Sequence, residues 1–177
     1  MNALSNETKL KIEKTIKNLK ANKMDAYYCD NKEDACNLVK TLIKKGDVIS
    51  SGGSVTLKET GVYDIITSSD YKYLDRAAEG ITPEEVEEVY HKTFSSDVYF
   101  ASSNAITENG ELYNVDGNSN RVAAILYGPK SVILVCGYNK IVKNIDEAID
   151  RVKRIAAPSN TIRLNIETPC GLSLIHI

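Results

Sequence analysis

Apolar positions along the chain switch repeatedly between helical and extended spacing. Between Ser5 and about Asn22, Ile12, Ile16 and Leu19 share one helical face, with Ser5 placed as N-cap. Asp25-Ala26-Tyr27-Tyr28-Cys29 has the make-up of a short strand. From Asn31, residues Ala35, Leu38, Val39, Leu42 and Ile43 resume helical spacing until Gly46 stops it. Asp47-Val48-Ile49-Ser50 predicts a strand that runs into Gly52-Gly53, and a short helix from Ser54 to about Thr60 follows, with Gly61 just beyond its end. Residues 62–80 carry no readable period. Thr82-Pro83-Glu84-Glu85 then starts a helix, with Thr as N-cap, Pro at the first position and Glu at the third completing a capping box. Val86, Val89, Tyr90 and Phe94 are expected to form its buried face.

The second half repeats the alternation. Asp97 to Ala101 predicts a strand, and Asn109-Gly110 between extended flanks from Ile106 to Val115 predicts a hairpin. Arg121 to Leu126 has helical spacing and ends at Gly128-Pro129. Ser131 to Cys136 predicts a fully buried strand closed by Gly137. Asn144 caps a last helix, with Ile145, Ala148, Ile149, Val152 and Ile155 on its buried face and Pro158 beyond its end. Strands of about five residues alternating with helices specify a single-domain, three-layer α/β fold, a mostly parallel sheet with helices on both faces.

Composition supports one folded domain: the chain has 177 residues, 42% hydrophobic and 26% charged. A formal charge of −2 argues against a nucleic-acid groove or an anionic membrane surface. No apolar run approaches the ~20 residues of a spanning helix, and the N-terminal stretch is Lys-rich rather than apolar. A cytoplasmic protein is expected. The six lysines from Lys9 to Lys23 read as a solvated face, with a docking patch as the alternative. Cys29, Cys36, Cys136 and Cys170 lie far apart with no Cys-x-x-Cys pair, and His91 and His176 are the only histidines. A His-based triad therefore has almost no raw material, no metal site is expected among these residues, and no cofactor motif is evident.

Three loops qualify for chemistry, because ligands of parallel α/β sheets bind beyond the carboxyl ends of strands. In Ser50-Ser51-Gly52-Gly53-Ser54-Val55-Thr56, Gly52 and Gly53 permit close backbone approach, and Ser54 and Thr56 add hydroxyls, a combination suited to phosphate or carboxylate. An ordinary turn using glycine for its backbone freedom is the other reading. In Ser102-Ser103-Asn104-Ala105-Ile106-Thr107-Glu108, Asn104 and Thr107 are candidate ligand contacts, and Glu108 is the candidate acid, base or nucleophile. Glu108 equally fits a solvated turn carboxylate beside Asn109-Gly110. In Asn114-Val115-Asp116-Gly117-Asn118-Ser119-Asn120-Arg121, Arg121 is placed to clamp an anion and Asp116 to hold hydroxyls, with Gly117 and Asn120 beside them, or the segment simply builds a turn and an N-cap. Lys140 adds a positive charge at the same sheet edge, or leads the next element as an exposed lysine.

With these residues in view, the chain resembles the LUD domain family, the lactate-utilisation proteins related to protein C of the bacterial lactate-oxidation operon. The resemblance rests on Gly52-Gly53-Ser54-Val55-Thr56-Leu57, Leu74-Asp75-Arg76, Ser102-Ser103-Asn104-Ala105-Ile106-Thr107-Glu108-Asn109-Gly110 and Asn114-Val115-Asp116-Gly117-x-x-Asn120-Arg121-Val122-Ala123-Ala124. Gly128-Pro129-Lys130, Asn139-Lys140-Ile141-Val142 and Ala156-Ala157-Pro158 complete it. It spans roughly residues 5–170 and is nearest to the short variety of Firmicute-like bacteria.

The resemblance implies the fold shared by ribose phosphate isomerase, glucosamine phosphate deaminase and CoA transferases, whose ligands sit at the same sheet edge. It also implies a role in oxidising L-lactate to pyruvate alongside iron–sulfur partner proteins, with any cluster or metal in a partner or in a missing tail. A non-catalytic ligand-binding or structural subunit, or an enzyme acting on a sugar phosphate or acyl-CoA, is the alternative. No nucleic-acid or membrane partner is implied, and a homo-oligomer is compatible with the pattern. In related short members further cysteines follow the Thr-Pro-Cys matched by Thr168-Pro169-Cys170, whereas here Gly171 to Ile177 is apolar. The resemblance therefore assigns residues 1–170 to the domain and 171–177 to an atypical, truncated or misassembled end, with Cys170 a remnant ligand.

Overall fold

The computed structural model describes residues 4–165. The α/β domain expected from the sequence is organised as two compact units, one of residues 29–102 and 116–136, the other of residues 4–28, 103–115 and 137–165.

The first unit is built on a four-stranded sheet. In chain order it comprises α2 (Lys32–Leu42), β1 (Val48–Ser51), α3 (Val55–Thr60), α4 (Val62–Ile66), β2 (Lys72–Tyr73), α5 (Pro83–Thr93), β3 (Val98–Ala101), α6 (Asn120–Leu126) and β6 (Ser131–Leu134). The spatial order is β2-β1-β3-β6 and every pairing is parallel. β3 is wholly buried, and its pleat divides the core in two. Val98 and Phe100 join Ile49 against Val39, Ile43, Leu57, Val62 and Ile66 of the α2–α4 side. Tyr99 and Ala101 face the opposite way, against Ala124 and Ile125 of α6 and Phe94 at the end of α5. Helices therefore cover both faces, as three layers require. Truncating the fully buried Phe100 costs about 3–5 kcal/mol in such a core.

The local signals explain the starts of these helices. Asn31 Oδ1 accepts the Asp34 N–H and Ser54 Oγ the Leu57 N–H. Thr82 and Glu85 make both arms of the capping box, at 3.3 and 2.8 Å. Gly61 adopts φ +81°, a conformation that lets α3 stop and α4 start at once. The two-residue β2 and the five-residue α4 fall inside the segment with no readable period. β6 is half-buried rather than fully buried, because it lies at the sheet edge with only β3 beside it, and it ends at Leu134 rather than Cys136.

The second unit contains α1 (Asn6–Ala21), β4 (Ala105–Thr107), β5 (Leu112–Tyr113), a 3-10 turn (Tyr138–Lys140), β7 (Ile141–Val142), α7 (Ile145–Arg151), a π-helical stretch (Val152–Ala156) and α8 (Ala157–Leu164). Its sheet runs β5-β4-β7, with β4–β5 antiparallel and β4–β7 parallel. Asn109-Gly110 turns the expected hairpin, with Gly110 at φ +84°. A Cβ there would stand 2.6 Å from the Asn18 carbonyl carbon, so only glycine lets the turn lie on α1. Asn18 Nδ2 donates to the Glu108 carbonyl at 2.7 Å and Asn22 Nδ2 to that of Gly110 at 2.9 Å.

Three expectations need correction here. Asp25–Cys29 forms no strand: Tyr27 and Tyr28 are exposed, and no ladder takes up this backbone among the described residues. The last helix does not end before Pro158. The wider turn of the π-helical stretch shifts the hydrogen-bond register, and Pro158 then sits in the first turn of α8, where its missing N–H is harmless. Ile145 and Ile155, assigned to the buried face, are exposed, whereas Ala148 and Val152 are buried.

Candidate functional site

In the parallel-sheet unit the chain leaves three neighbouring strands at one edge. β1 ends at Ser51 and enters Gly52-Gly53, and the Gly52 N–H donates to the Phe100 carbonyl at 2.8 Å, extending the ladder by one step. β2 ends at Tyr73 and reaches Arg76 three residues later, while β3 ends at Ala101 beside Ser102. A small cavity of about 10 Å³ lies here, lined by Ser50, Ser51, Arg76, Tyr90, Thr93, Tyr99 and Asn120. That volume suits a water-sized group.

Most hydroxyls around the cavity satisfy each other. Ser50 Oγ and Thr93 Oγ1 are 2.7 Å apart, and Ser51 Oγ lies 2.6 Å from the Tyr73 hydroxyl. Burial pushes Tyr73 up to about 12, so it stays protonated at neutral pH. Tyr99 differs. It is only 2% exposed, yet its hydroxyl has no hydrogen-bond partner among the described residues. Burial raises it to about 12 as well, against the opposing positive charges of Arg76 and Arg121.

Gly52 is required by this packing. A Cβ would stand 2.9 Å from the Tyr99 hydroxyl oxygen and 3.2 Å from Arg121 Cδ. At Gly53 it would stand 3.1 Å from Arg76 Nη2. The Arg76 guanidinium carbon lies 5.7 Å from the centre of the Tyr90 ring, a cation–π contact. Arg76 has no hydrogen-bond or ion-pair partner among the described residues.

The other arginine of the unit is engaged. Arg121 Nε and Nη2 meet Asp116 Oδ1 at 2.8 and 2.7 Å, and its Nη1 donates to the Ser102 carbonyl at 2.9 Å. Asp116 Oδ2 accepts the Val122 N–H at 2.7 Å. The anion that Arg121 holds is thus the chain's own carboxylate. Gly117 sits exposed in open space, Ser54 is committed to capping α3, and Thr56 lies in the first turn of that helix.

The remaining candidates belong to the hairpin unit. Lys14 Nζ lies 2.8 Å from Glu108 Oε2, and this ammonium holds the Glu108 carboxyl below the usual carboxylate range. Thr107 Oγ1 donates to Glu111 Oε2 at 2.6 Å and accepts the Glu111 N–H at 3.1 Å, closing the turn. Asn104 Oδ1 accepts the Val115 N–H, and its carbonyl accepts from Arg151 Nη1 at 2.6 Å. Lys140 closes the 3-10 turn, half-buried. Among the described residues no three His, Cys, Asp or Glu side chains converge as a metal site, and His91 is exposed. Cys170 lies outside the described residues.

Sequence reasoning therefore located the sheet edge but missed its two most distinctive groups. Arg76 falls in the stretch with no readable period, although Leu74-Asp75-Arg76 is one of the segments that carry the family resemblance. Tyr99 read only as a position in the strand from Asp97 to Ala101. Its signal was a phenol two residues from the carboxyl end of a buried strand, a place where a polar handle needs a partner.

Polar side chains thus gather beyond the carboxyl edge of a parallel α/β sheet, the place where ligands of such sheets bind. A family model described as the LUD domain matches residues 12–174. The chain belongs to the LUD domain family, which is associated with lactate utilisation. No match was found among curated proteins or among solved structures.

Proposed function

We propose that this LUD domain protein serves lactate utilisation by holding a small organic anion, of hydroxy- or keto-acid size, at the carboxyl edge of β1, β2 and β3. Family membership supplies the metabolic setting. The observation that carries the ligand class is the water-sized cavity lined by Arg76 and hydroxyl groups without any carboxylate. That space takes one oxygen of such an anion, and the positive lining favours it. In the oxidation of L-lactate to pyruvate, two electrons and two protons leave the substrate, and on this reading iron–sulfur partner proteins take the electrons.

A non-catalytic ligand-binding subunit is the second reading. It is favoured by Glu108, the sequence's best acid–base candidate, being tied down as an ion pair with Lys14 in the hairpin unit. Thermal melting with L-lactate, pyruvate, ribose and glucosamine phosphates and CoA esters tests ligand class. A ligand at 100 times its Kd adds about 2.7 kcal/mol. Stabilisation by lactate or pyruvate supports the proposal, and a response to phosphorylated sugars or CoA esters alone overturns it. Turnover of lactate by the protein with its captured iron–sulfur partners, against binding without turnover, separates the two readings.

A further inference from the structure

We propose that Arg76, Asn120 and the Tyr99 hydroxyl form the anion-binding donor set of this protein, with Arg76 rather than Arg121 receiving the ligand's negative charge. The inference rests on the reading above that the cavity takes a small anion, and it names the groups that hold it. Of the side chains lining the cavity, Ser50, Ser51 and Thr93 spend their hydroxyls on neighbours. Tyr90, half-buried with its ring against Arg76, makes no side-chain hydrogen bond among the described residues, and neither do the three candidates Arg76, Tyr99 and Asn120.

All three are donors. Arg76 offers five N–H groups in a planar fork, Asn120 an amide NH₂, and Tyr99 one O–H. A buried hydroxyl without a partner is rare and costs stability, so its persistence points to an occupant that completes it. A lone water could satisfy Tyr99, but it would leave the Arg76 charge without a counter-ion. An oxyanion does both at once.

Arg76 is also held ready. The Tyr90 face supports its guanidinium, and Gly53 leaves the space that any side chain there would contest. The Tyr99 phenol remains protonated far above neutral pH, which keeps it a donor. By contrast, the Arg121 guanidinium is bound to Asp116 and to the Ser102 carbonyl.

Carboxylate and inorganic phosphate share the required chemistry, and the test separates them. The intact chain is melted with L-lactate, pyruvate or inorganic phosphate, as wild type, Arg76→Gln, Tyr99→Phe and the exposed-cation control Arg154→Gln. Binding should weaken about 10–100-fold in Arg76→Gln and measurably in Tyr99→Phe, and stay unchanged in the control. Tyr99→Phe should melt higher than wild type without ligand, which shows that the variant folds and that the hydroxyl was unsatisfied.

Lactate or pyruvate binding that survives Arg76→Gln overturns the donor set while leaving the proposed function standing. Arg76-dependent binding of phosphate alone supports the donor set and overturns the hydroxy- or keto-acid reading. No response to any of the three anions overturns both.

Discussion

Two guanidinium groups of the parallel-sheet unit sit in opposite circumstances. Arg121 is 13% exposed and shares two nitrogens with an Asp116 oxygen, while its third nitrogen meets a backbone carbonyl. Arg76 lies against an aromatic face with no anion beside it among the described residues. The same residue type therefore builds structure in one place and leaves binding capacity in the other. Within a family fold, an arginine that already has its carboxylate has little left to offer a ligand, and the under-satisfied groups mark the site more sharply than the charge-rich loop does. In the chemically dense segment Asn114 to Arg121, Asp116 supplies the anion of Arg121, Asn114 Oδ1 accepts the Asn104 N–H, and Ser119 makes no side-chain cap hydrogen bond.

This contrast can be broken experimentally, and the largest effect is expected at the closed pair. Asp116→Ala leaves Arg121 buried without its anion and removes the acceptor of the Val122 N–H. A loss of about 3–5 kcal/mol is expected. In a melting curve that is a fall in Tm on the order of 10 °C. A change below 1 °C would show that the pair is not buried in solution as it is here.

Gly52→Ala acts on the boundary between the two circumstances. Its Cβ would press on both the Tyr99 hydroxyl and Arg121, at an expected cost of about 1–3 kcal/mol. Ligand response should fall with it. An alanine variant as stable and as responsive as wild type would mean that the turn has slack.

Tyr99→Phe should move stability the other way, up by about 1 kcal/mol at neutral pH, because it removes an unsatisfied buried hydroxyl. Its alkaline behaviour gives a second signature. The phenol titrates near 10 when unfolded and near 12 when folded, so the folded state holds the proton longer. Below pH 10 the phenol is protonated in both states and its ionisation costs no stability; between pH 10 and 12 the unfolded state ionises first, and stability falls as pH rises. Tyr99→Phe should therefore lose stability less steeply between pH 10 and 12, Tyr73 still contributing to the slope that remains. Identical pH profiles would contradict the burial of this group.

The smallest effect is expected at Glu108. Its partner Lys14 is 55% exposed, and pairs of this kind contribute below about 1 kcal/mol. Glu108→Gln should lower Tm by only about 1–2 °C and leave lactate or pyruvate binding unchanged. Loss of binding or turnover would restore Glu108 as a functional group.

Local chemistry was the legible part of the sequence. Ser5, Asn31, Ser54, Thr82 and Asn144 were each read as helix starts, and each accepts the backbone N–H three residues on. Asn109-Gly110 likewise marked its hairpin, where Gly110 takes φ +84°, a left-handed conformation that favours glycine. Elements specified by partners rather than by their own residues were not legible. Lys72–Tyr73 is too short to show a period and becomes a strand only through pairing with β1. Asp25–Cys29 has strand composition but gains no ladder. Pro158 normally ends a helix, and the π-helical stretch before it has no simple sequence sign.

The candidate site divides along the same line. Gly52 and Gly53 were readable from their place between strand and helix. Arg76 and Tyr99 become distinctive only when hydrogen bonds are counted, since each is marked by a bond it does not make.

A crystal structure of the protein grown with pyruvate tests the central claim most directly. The expected density places the carboxylate against Arg76, with Tyr99 Oη and the Asn120 amide within hydrogen-bonding distance and the Asp116–Arg121 pair intact. Pyruvate bound instead through Arg121, with the Asp116 pair broken, or bound among the lysines of α1 while Tyr99 stays without a partner, would contradict it.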